Sequence, residues 1–250
     1  MDSGPAPRGF QHILLPETNS TNDDCLRLAD AGAPDGTVVR ALHQSSGRGR
    51  GGRSWFSRPE ASLTFSVLLR PEAREAPYLT RFALLGCLAL TRVLFRNFSV
   101  EAQIKWPNDV LLAGKKVCGV LTETLWQGEV PSAVVLGMGV NLSDEALPPQ
   151  AETIFPAGSL AGLAGIRVSA QDLLNLLLFE LAQARQELPT ADFIEEVNAR
   201  LAFRGEWVSL RTNADAPRRA RPISVAEDGS LWAEREDGLT ARFYSAEISG

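Results

Sequence analysis

The first half of the chain alternates short apolar runs of strand length with longer runs of helical length. Strands are predicted for "QHILLPE" and "DGTVVRALHQ". The segment between them predicts a helix that a polar residue caps and that Gly32 ends. The candidates for that cap are Ser20, Thr21 and Asn22. "APYLTRFALLGCLALTRVLFRNF" has the length and apolar content of a helix that packs on a sheet.

Further strands follow on both sides of that long helix. "ASLTFSVLLR" alternates apolar and polar positions, which predicts a half-buried strand. "AQIKWPNDVLL", "VCGVLTETLW" and "SAVVLGMGVNL" predict three more strands, with a turn at "AGKK". Runs of strands followed by runs of helices predict an α+β fold with a mixed, mainly antiparallel sheet. The apolar face of "ASLTFSVLLR" would carry Leu63, Phe65, Val67 and Leu69.

The residue pattern of the second half of the chain changes at two places. Residues 143–168, rich in Pro, Gly and Ala, predict a long surface loop, after which Ser169 and Asp172 form the capping-box pattern of a mostly apolar helix. A shorter helix is predicted at about 190–202. From Gly205, short strands alternate with Asp-Gly turns, typical of tight hairpins whose two central residues accept positive φ. We therefore predict a domain 1–204 and a small β-barrel-like domain 205–250.

Composition narrows the class of protein. The chain has 30 acidic and 25 basic residues and a net charge of −5, which disfavours a general nucleic-acid binder. Its start lacks the basic and apolar regions of a secretory signal, and no apolar run is long enough to span a membrane. We expect a cytoplasmic protein with no membrane association. The three cysteines are widely spaced, which fits neither a disulfide framework nor a zinc site. We expect Cys25, Cys87 and Cys118 to be packing residues.

The segment "ALHQSSGRGRGGRSWF" concentrates positive charge in an acidic chain. From Arg40 to Arg58 there are five arginines and no acidic residue. Two interpretations stay open: a loop that closes over an anionic small molecule, or a disordered segment that binds RNA. Strands predicted at both ends favour the loop. Its central arginines can hold carboxylate or phosphate bidentately, and its glycines let backbone amides approach a ligand.

Two other segments carry polar groups at strand ends. "KWPNDVLLAGKKVCGVLTE" places ammonium groups beside an amide and a carboxylate, and such oxygens bind magnesium next to phosphate. The alternative is a charged hairpin end. "VVLGMGVNL" ends an apolar strand at Asn141 but lacks the third glycine and the helix of a dinucleotide-binding motif. The sequence contains no GxxxxGK[ST] loop, so an ATP site here would not be of the P-loop type.

Taken in order, "GRGRGGRSW", "KWPND", "KVCGVLTE" and "GMGVNL" resemble the biotin protein ligases, also called biotin–[acetyl-CoA-carboxylase] ligases. The resemblance covers nearly the whole chain from about residue 12. It implies a class II synthetase-like catalytic domain followed by a C-terminal SH3-like barrel. It also implies that the protein uses ATP and Mg²⁺ to convert biotin to biotinyl-5′-AMP, and transfers the biotinyl group to a lysine of a biotin carboxyl carrier protein or domain.

The resemblance also bears on partners. Because the catalytic pattern starts near residue 12, we expect no N-terminal DNA-binding domain and no operator binding. Members of the family dimerise, and the sequence leaves monomer and homodimer open. Three rival interpretations remain: a lipoate or octanoate ligase of the same superfamily, an RNA-binding Gly-Arg module, and a biotin sensor without turnover. Thr21 and Gln44 suit a polar ureido ring, which favours biotin over lipoate.

Roles for individual residues follow from the resemblance. Lys116, Arg48 and Asp109 would be catalytic, and Asp109 would help to position magnesium or the ligand. Because the acceptor lysine must lose a proton near neutral pH, we also put forward Asp109 as the residue that helps to deprotonate it. The residues implied to bind biotin are Ser20, Thr21, Asn22, Gln44, Gly47, Arg48, Arg50, Lys116 and Gly119. The residues implied to bind ATP or the adenylate are Arg48, Arg50, Arg53, Trp55, Lys105, Asn108 and Asn141.

Overall fold

The structure is a computed structural model that describes residues 9–149, 155–212 and 217–249. Its larger sheet contains β1 (Gln11–Thr18), β2 (Thr37–Gln44), β3 (Ser62–Leu69), β4 (Gln103–Lys105), β5 (Asp109–Leu112), β6 (Lys115–Gln127) and β7 (Val130–Asn141). The helices are α1 (Thr21–Asp30), α2 (Arg81–Phe98), α3 (Leu160–Ala164), α4 (Ala170–Glu187) and α5 (Ala191–Ala199). The smaller sheet contains β8 (Val208–Arg211), β9 (Arg218–Val225), β10 (Leu231–Arg235), β11 (Thr240–Phe243) and β12 (Glu247–Ser249).

The larger sheet has the strand order β1-β2-β3-β7-β6-β5-β4. Only β1 and β2 pair in parallel, and the other neighbours are antiparallel. The predicted mixed, mainly antiparallel α+β fold is confirmed. The first of the three predicted strands after α2 is in fact two, β4 and β5, with a turn at Trp106 and Pro107 between them.

Strand β3 is buried on both faces, so the prediction of a half-buried strand is wrong. Its apolar face joins the main core, as predicted, and Phe65 on that face is fully buried. The opposite face is covered by α1, where Leu68 packs in a second cluster with Cys25 and Val39. The alternation of apolar and polar residues predicted that the second face is exposed. Ser66 on that side of the strand instead forms hydrogen bonds with polar groups of α1.

The starts of the helices differ in how they are capped. Ser169 Oγ accepts a hydrogen bond from the Asp172 amide at 3.0 Å, which confirms the predicted start of α4. Ser20 occupies the capping position of α1 without a side-chain cap, so the predicted cap is wrong even though the helix is right. The polar side chains at this end of α1 are used for tertiary hydrogen bonds. Within the described residues, no helix is long and apolar enough to cross a membrane.

The predicted surface loop at 143–168 is only partly a loop. Residues 150–154 lie outside the described residues, but α3 lies inside the predicted loop and its Leu160 is fully buried. Ser159 Oγ caps this short helix by accepting a hydrogen bond from the Gly162 amide at 2.9 Å. The helix was missed because small residues surround Leu160, the one side chain of this helix that is fully buried in the core.

The smaller sheet has the order β11-β10-β9-β8-β12, which is consistent with the implied SH3-like domain, although β11 and β12 are its unclosed ends. Its two Asp-Gly turns are three-residue turns, closed by bonds such as Ala226 N to Ser230 O at 2.8 Å. Only the glycines, Gly229 and Gly238, take positive φ there, so the prediction of two such residues per turn is wrong.

The two sheets share one hydrophobic core. Val208 and Ile248 of the smaller sheet belong to the same buried cluster as Trp106. The indole Nε1 of Trp106 donates a hydrogen bond to Gly229 O at 2.9 Å. The predicted boundary near residue 204 falls in the connection between α5 and β8, and it stays a prediction because the core is continuous across it.

Candidate active site

Two cavities meet beneath the Gly-Arg loop. The smaller, of about 50 Å³, lies between the start of α1 and strands β3, β6 and β7, and the larger, of about 800 Å³, lies on the other side of the loop. Gln44, Arg48, Trp55 and Lys116 line both cavities. A ligand in one cavity therefore lies within reach of a ligand in the other through this shared wall.

The structure brings most of the predicted residues to these two cavities. Those at the smaller cavity are Ser20, Thr21, Asn22, Gln44, Arg48, Arg50, Trp55, Asn108, Lys116 and Gly119. Those at the larger cavity are Gln44, Gly47, Arg48, Arg53, Trp55, Asp109, Lys116 and Asn141. Asn108, predicted at the nucleotide, lies instead at the smaller cavity, where its Nδ2 donates to Val120 O at 2.6 Å. Lys105 lines neither cavity and is almost fully buried.

A buried hydrogen-bond network forms the floor of the smaller cavity. The Thr21 amide donates to Gln44 Oε1 at 2.8 Å, and Ser66 Oγ donates to Asn22 Oδ1 at 2.6 Å. Ser66 Oγ also lies 2.7 Å from Thr21 Oγ1. Ser66 was missed from the sequence, although a serine in the middle of an apolar strand was the available signal. The network fixes several donors and acceptors around a small volume, as recognition of a compact polar ring requires.

Gly137 is a second residue that sequence analysis missed. A Cβ atom at this position would lie 2.0 Å from Asn22 Oδ1, so only glycine lets the Asn22 side chain sit against β7. The signal was "GMG" in "VVLGMGVNL", where two glycines alternate on one face of a strand. Gly139, the other glycine, leaves room for the ring of Trp55, which would lie 2.2 Å from a Cβ there.

We expect Gly137→Ala to lower the free energy of unfolding by about 1–3 kcal/mol, because Asn22 must move and leave buried polar groups unpaired. Urea denaturation measures the loss. The control is Gly49→Ala, since the nearest atom to a Cβ there is 3.5 Å away. That variant should change stability by less than about 0.5 kcal/mol. Equal losses in the two variants would contradict the assigned role of the Asn22 contact.

Asp109 is the centre of a buried ion cluster. Lys105 Nζ lies 2.9 Å from Asp109 Oδ2, and Lys116 Nζ lies 2.7 Å from Asp109 Oδ1. Burial by itself would raise the pKa of Asp109, but the charges of Lys116 and Lys105 outweigh it and hold the pKa below its usual value. The carboxylate is therefore ionised at neutral pH. Its position directs the Lys116 ammonium group to the wall between the two cavities.

This environment does not fit the predicted magnesium ligand. Both oxygens of Asp109 lie within 2.9 Å of ammonium groups, and these two positive charges repel a cation at this carboxylate. Among the described residues, no group of three or more His, Cys, Asp or Glu side chains could hold a metal ion.

The Gly-Arg loop is ordered and closes on itself as a hairpin. The Trp55 amide donates to Gly47 O at 2.7 Å, and the Gly49 amide donates to Arg53 O at 2.7 Å. Gly51 takes φ of 69° at the tip, a left-handed conformation that glycine adopts without strain. This geometry supports the closing loop over the disordered segment. Trp55 Nε1 is buried with no hydrogen-bond partner among the described residues, so it is free to donate to a ligand.

The arginines of the loop are held from two sides. Arg48 forms ion pairs with Asp23 at 2.6 Å and with Glu123 at 2.7 Å. Its roles in binding and catalysis stay predictions, but it stands at the shared wall. These two carboxylates hold the guanidinium group above the smaller cavity.

The C-terminal sheet holds the other end of the loop. Arg53 Nη1 lies 2.9 Å from Glu247 Oε1 of β12, and Arg50 donates to Ala246 O at 3.0 Å and to Ser245 Oγ. Glu247 also lines the larger cavity and lies 3.5 Å from Lys105 Nζ. Sequence analysis gave no role to residues 245–247, because nothing in a short strand far along the chain marks it as a partner of the loop.

Cys118 lies on β6 two residues after Lys116. It is fully buried, and burial raises the pKa of its thiol well above the usual value. Because the thiolate is the nucleophilic form, the burial of Cys118 and its raised pKa favour the predicted role of a packing residue.

Residues 14–141 match the model of the biotin/lipoate A/B protein ligase family. The chain belongs to this family. The matched range contains every residue predicted for the site. Among relatives, it is 35% identical to the biotin–[acetyl-CoA-carboxylase] ligase of Paracoccus denitrificans, over 80% of this chain and 84% of that one. It is 36% identical to the ligase of the same name from Mycobacterium tuberculosis, over 89% of this chain and 82% of that one.

Solved structures of the family extend the likeness to the second sheet. The biotin protein ligase of Aquifex aeolicus in complex with biotin and ATP is 27% identical and superposes with a TM-score of 0.78. The match covers 95% of this chain and 97% of that one. The family fold therefore includes both sheets, and residues 245–247 lie beyond the range that the family model matches.

Proposed function

We propose that this protein activates biotin with ATP to biotinyl-5′-AMP and transfers the biotinyl group to a lysine of a biotin carboxyl carrier protein or domain. The observation that carries this proposal is the shared wall of the two cavities. Lys116 and Arg48 stand where a carboxylate in the smaller cavity would meet the α-phosphate of a nucleotide in the larger one. Family membership and the ligase relatives support the same reaction.

The smaller cavity suits the ureido ring of biotin. Thr21, Asn22 and Gln44 offer hydroxyl and amide groups that are already oriented by their own hydrogen bonds. Lipoate would bring a dithiolane ring without matching donors, and each buried polar group left unpaired costs about 1–3 kcal/mol. The ring of Trp55 covers Gly119 and Gly139 in this structure, so entry of biotin requires the loop to open.

In the first step, a carboxylate oxygen of biotin attacks the α-phosphorus of ATP. The new C–O–P bond forms as the bond to the β-phosphate breaks, and pyrophosphate leaves. Two anions must approach each other, so fixed cations have to offset their repulsion where negative charge develops. Lys116 and Arg48 supply those charges from the shared wall. The closed loop would then keep water from the reactive anhydride.

In the second step, the amine nitrogen of the acceptor lysine attacks the biotinyl carbonyl carbon. An amide forms, AMP leaves, and the lysine nitrogen loses a proton. Asp109 was predicted to help with that proton. Its lowered pKa and its two lysine partners make it a weak base, so we assign it instead the positioning of Lys116. The proton passes to solvent or to another group.

Residues 205–250 would complete the nucleotide site. Glu247 and the loop arginines close the larger cavity from the side of the smaller sheet. We propose that the nucleotide phosphates compete with Glu247 for Arg53. No step in this scheme depends on a magnesium ion held by the protein.

The test is mass spectrometry of the small molecules released after incubation with Mg·ATP and either biotin or lipoate. We expect biotinyl-AMP with biotin, and transfer of the biotinyl mass to an added biotin carboxyl carrier domain. Lipoyl-AMP alone would move the protein to the lipoate branch of the family. Biotin binding without any adenylate would support a sensor, and salt-sensitive RNA binding that needs no ATP would support the Gly-Arg module.

A further inference from the structure

One carboxylate oxygen connects the floor of the smaller cavity to the Gly-Arg loop. Glu123 Oε2 on β6 accepts a hydrogen bond from Asn22 Nδ2 at 2.7 Å. The same oxygen accepts a charge-assisted bond from Arg48 Nη2 at 2.7 Å. Asn22 belongs to α1 and Arg48 to the loop, and Glu123 itself does not line either cavity. Within the described part of the chain, its side-chain hydrogen bonds to the site go to these two neighbours.

The bond to Glu123 fixes which way the Asn22 amide points. An ionised carboxylate accepts hydrogen bonds and cannot donate them, so the amide nitrogen must face Glu123. The carbonyl oxygen of Asn22 then faces Ser66 Oγ at 2.6 Å and Gly137. A neutral residue at position 123 could accept or donate, and the Asn22 amide would lose its preferred orientation. The direction of the Asn22 carbonyl oxygen, which lies beside Gly137 in the wall of the smaller cavity, therefore depends on the charge of Glu123.

We infer that Glu123 is a specificity-determining positioning residue, which fixes the Asn22 amide for the polar ring of biotin and couples that amide to Arg48 of the loop. The inference rests on the proposed function. It predicts that recognition of the ring and order of the loop depend on one side chain outside both cavities. Adenylation of an acid without the ureido group would depend on it much less.

Asp23 provides a matched control. Its Oδ1 also pairs with Arg48 Nη2, at 2.6 Å, but the Asn22 side chain forms its hydrogen bonds with Glu123, Leu121 and Ser66 and not with Asp23. Its side chain is 47% exposed, against 26% for Glu123. Removing the charge of Asp23 therefore weakens the ion pairing of Arg48 and leaves the Asn22 amide in place.

The experiment compares Glu123→Gln and Asp23→Asn with the unchanged protein in adenylate formation with biotin and with lipoate. For Glu123→Gln we expect the KM for biotin to rise about tenfold, which corresponds to about 1.4 kcal/mol. We expect the KM for ATP to stay within about twofold, and the ratio of kcat/KM for biotin over lipoate to fall about tenfold. Asp23→Asn should leave the KM for biotin and the ratio within about twofold.

Equal effects of the two substitutions on the KM for biotin would overturn the inference, because the loss of an ion pair with Arg48 would then account for the whole change in KM. An unchanged biotin-to-lipoate ratio in Glu123→Gln would overturn it as well. The ratio compares two acids on one preparation, so partial unfolding of the variant does not alter it. If the unchanged protein forms no biotinyl-AMP, the proposed function fails; if it does and the variants match it, only this inference fails.

Discussion

Lys116→Met lowers kcat for biotinyl-AMP formation by about 100- to 1,000-fold in our expectation. Removing one preorganised group that stabilises charge in a transition state typically costs that much. Lys116 is the ammonium group at the shared wall, held there by Asp109 at 2.7 Å. Methionine keeps most of the length of the side chain and removes the charge. Stopped-flow measurement of pyrophosphate release, with biotin and ATP saturating, reports the loss.

Lys115→Met is the matched control for this prediction. Lys115 precedes Lys116 on β6, is exposed, and points to the opposite face of the strand. It should keep kcat within about twofold. Equal losses of kcat in the two variants would show that the total positive charge of this hairpin, and not the position of Lys116, supports the reaction. A normal rate in Lys116→Met would remove the main support for the proposed first step.

Asp109→Asn lowers the free energy of unfolding by about 3–5 kcal/mol in our expectation, because it leaves a buried ammonium group without its partner. Lys105 is only 1% exposed, and the other carboxylate near its ammonium group, that of Glu247, is 3.5 Å away. Lys116 is 26% exposed and can turn toward solvent, so the cost comes mainly from Lys105. Urea denaturation at pH 7 measures it.

The dependence of this loss on pH follows from the lowered pKa of Asp109. Because the folded pKa is below the unfolded one, near 3.8, the ionised carboxylate contributes its full stability above about that pH. The contribution is lost as the pH falls from there through the folded pKa. The gap between the unchanged protein and Asp109→Asn should therefore be constant from pH 7 to about pH 5 and narrow below pH 3.8.

A double variant separates charge from packing at this position. In Lys105→Met with Asp109→Leu, both buried charges are replaced by apolar groups, which is often neutral or stabilising for a buried ion pair. We expect it to recover most of the stability lost in Asp109→Asn. An equal or larger loss would mean that shape, and not the unpaired charge, sets the cost.

The sequence by itself determined the α+β class and the order of the motifs, and all but one of the residues that it predicted for the site line the two cavities. These features are local, because a loop of glycine and arginine, or a polar residue at the end of an apolar strand, can be recognised from neighbouring residues alone. It also placed most helices and strands, since apolar periodicity reports on the face that an element buries. It misjudged β3, because periodicity cannot show that α1 covers the second face with polar groups.

Only the tertiary structure decided which charged groups meet. Asn22 and Glu123 are 101 residues apart, and Arg50 and Ser245 are 195 apart, so no spacing along the chain could pair them. From the sequence Asp109 was predicted as a metal ligand, but the turn between β4 and β5 brings Lys105, and the pairing of β5 with β6 brings Lys116, to its carboxylate. Electrostatic energy depends on distance and burial in space. For that reason the sequence supplied the charged residues of this site, while strand register and helix packing assigned each of them its partner.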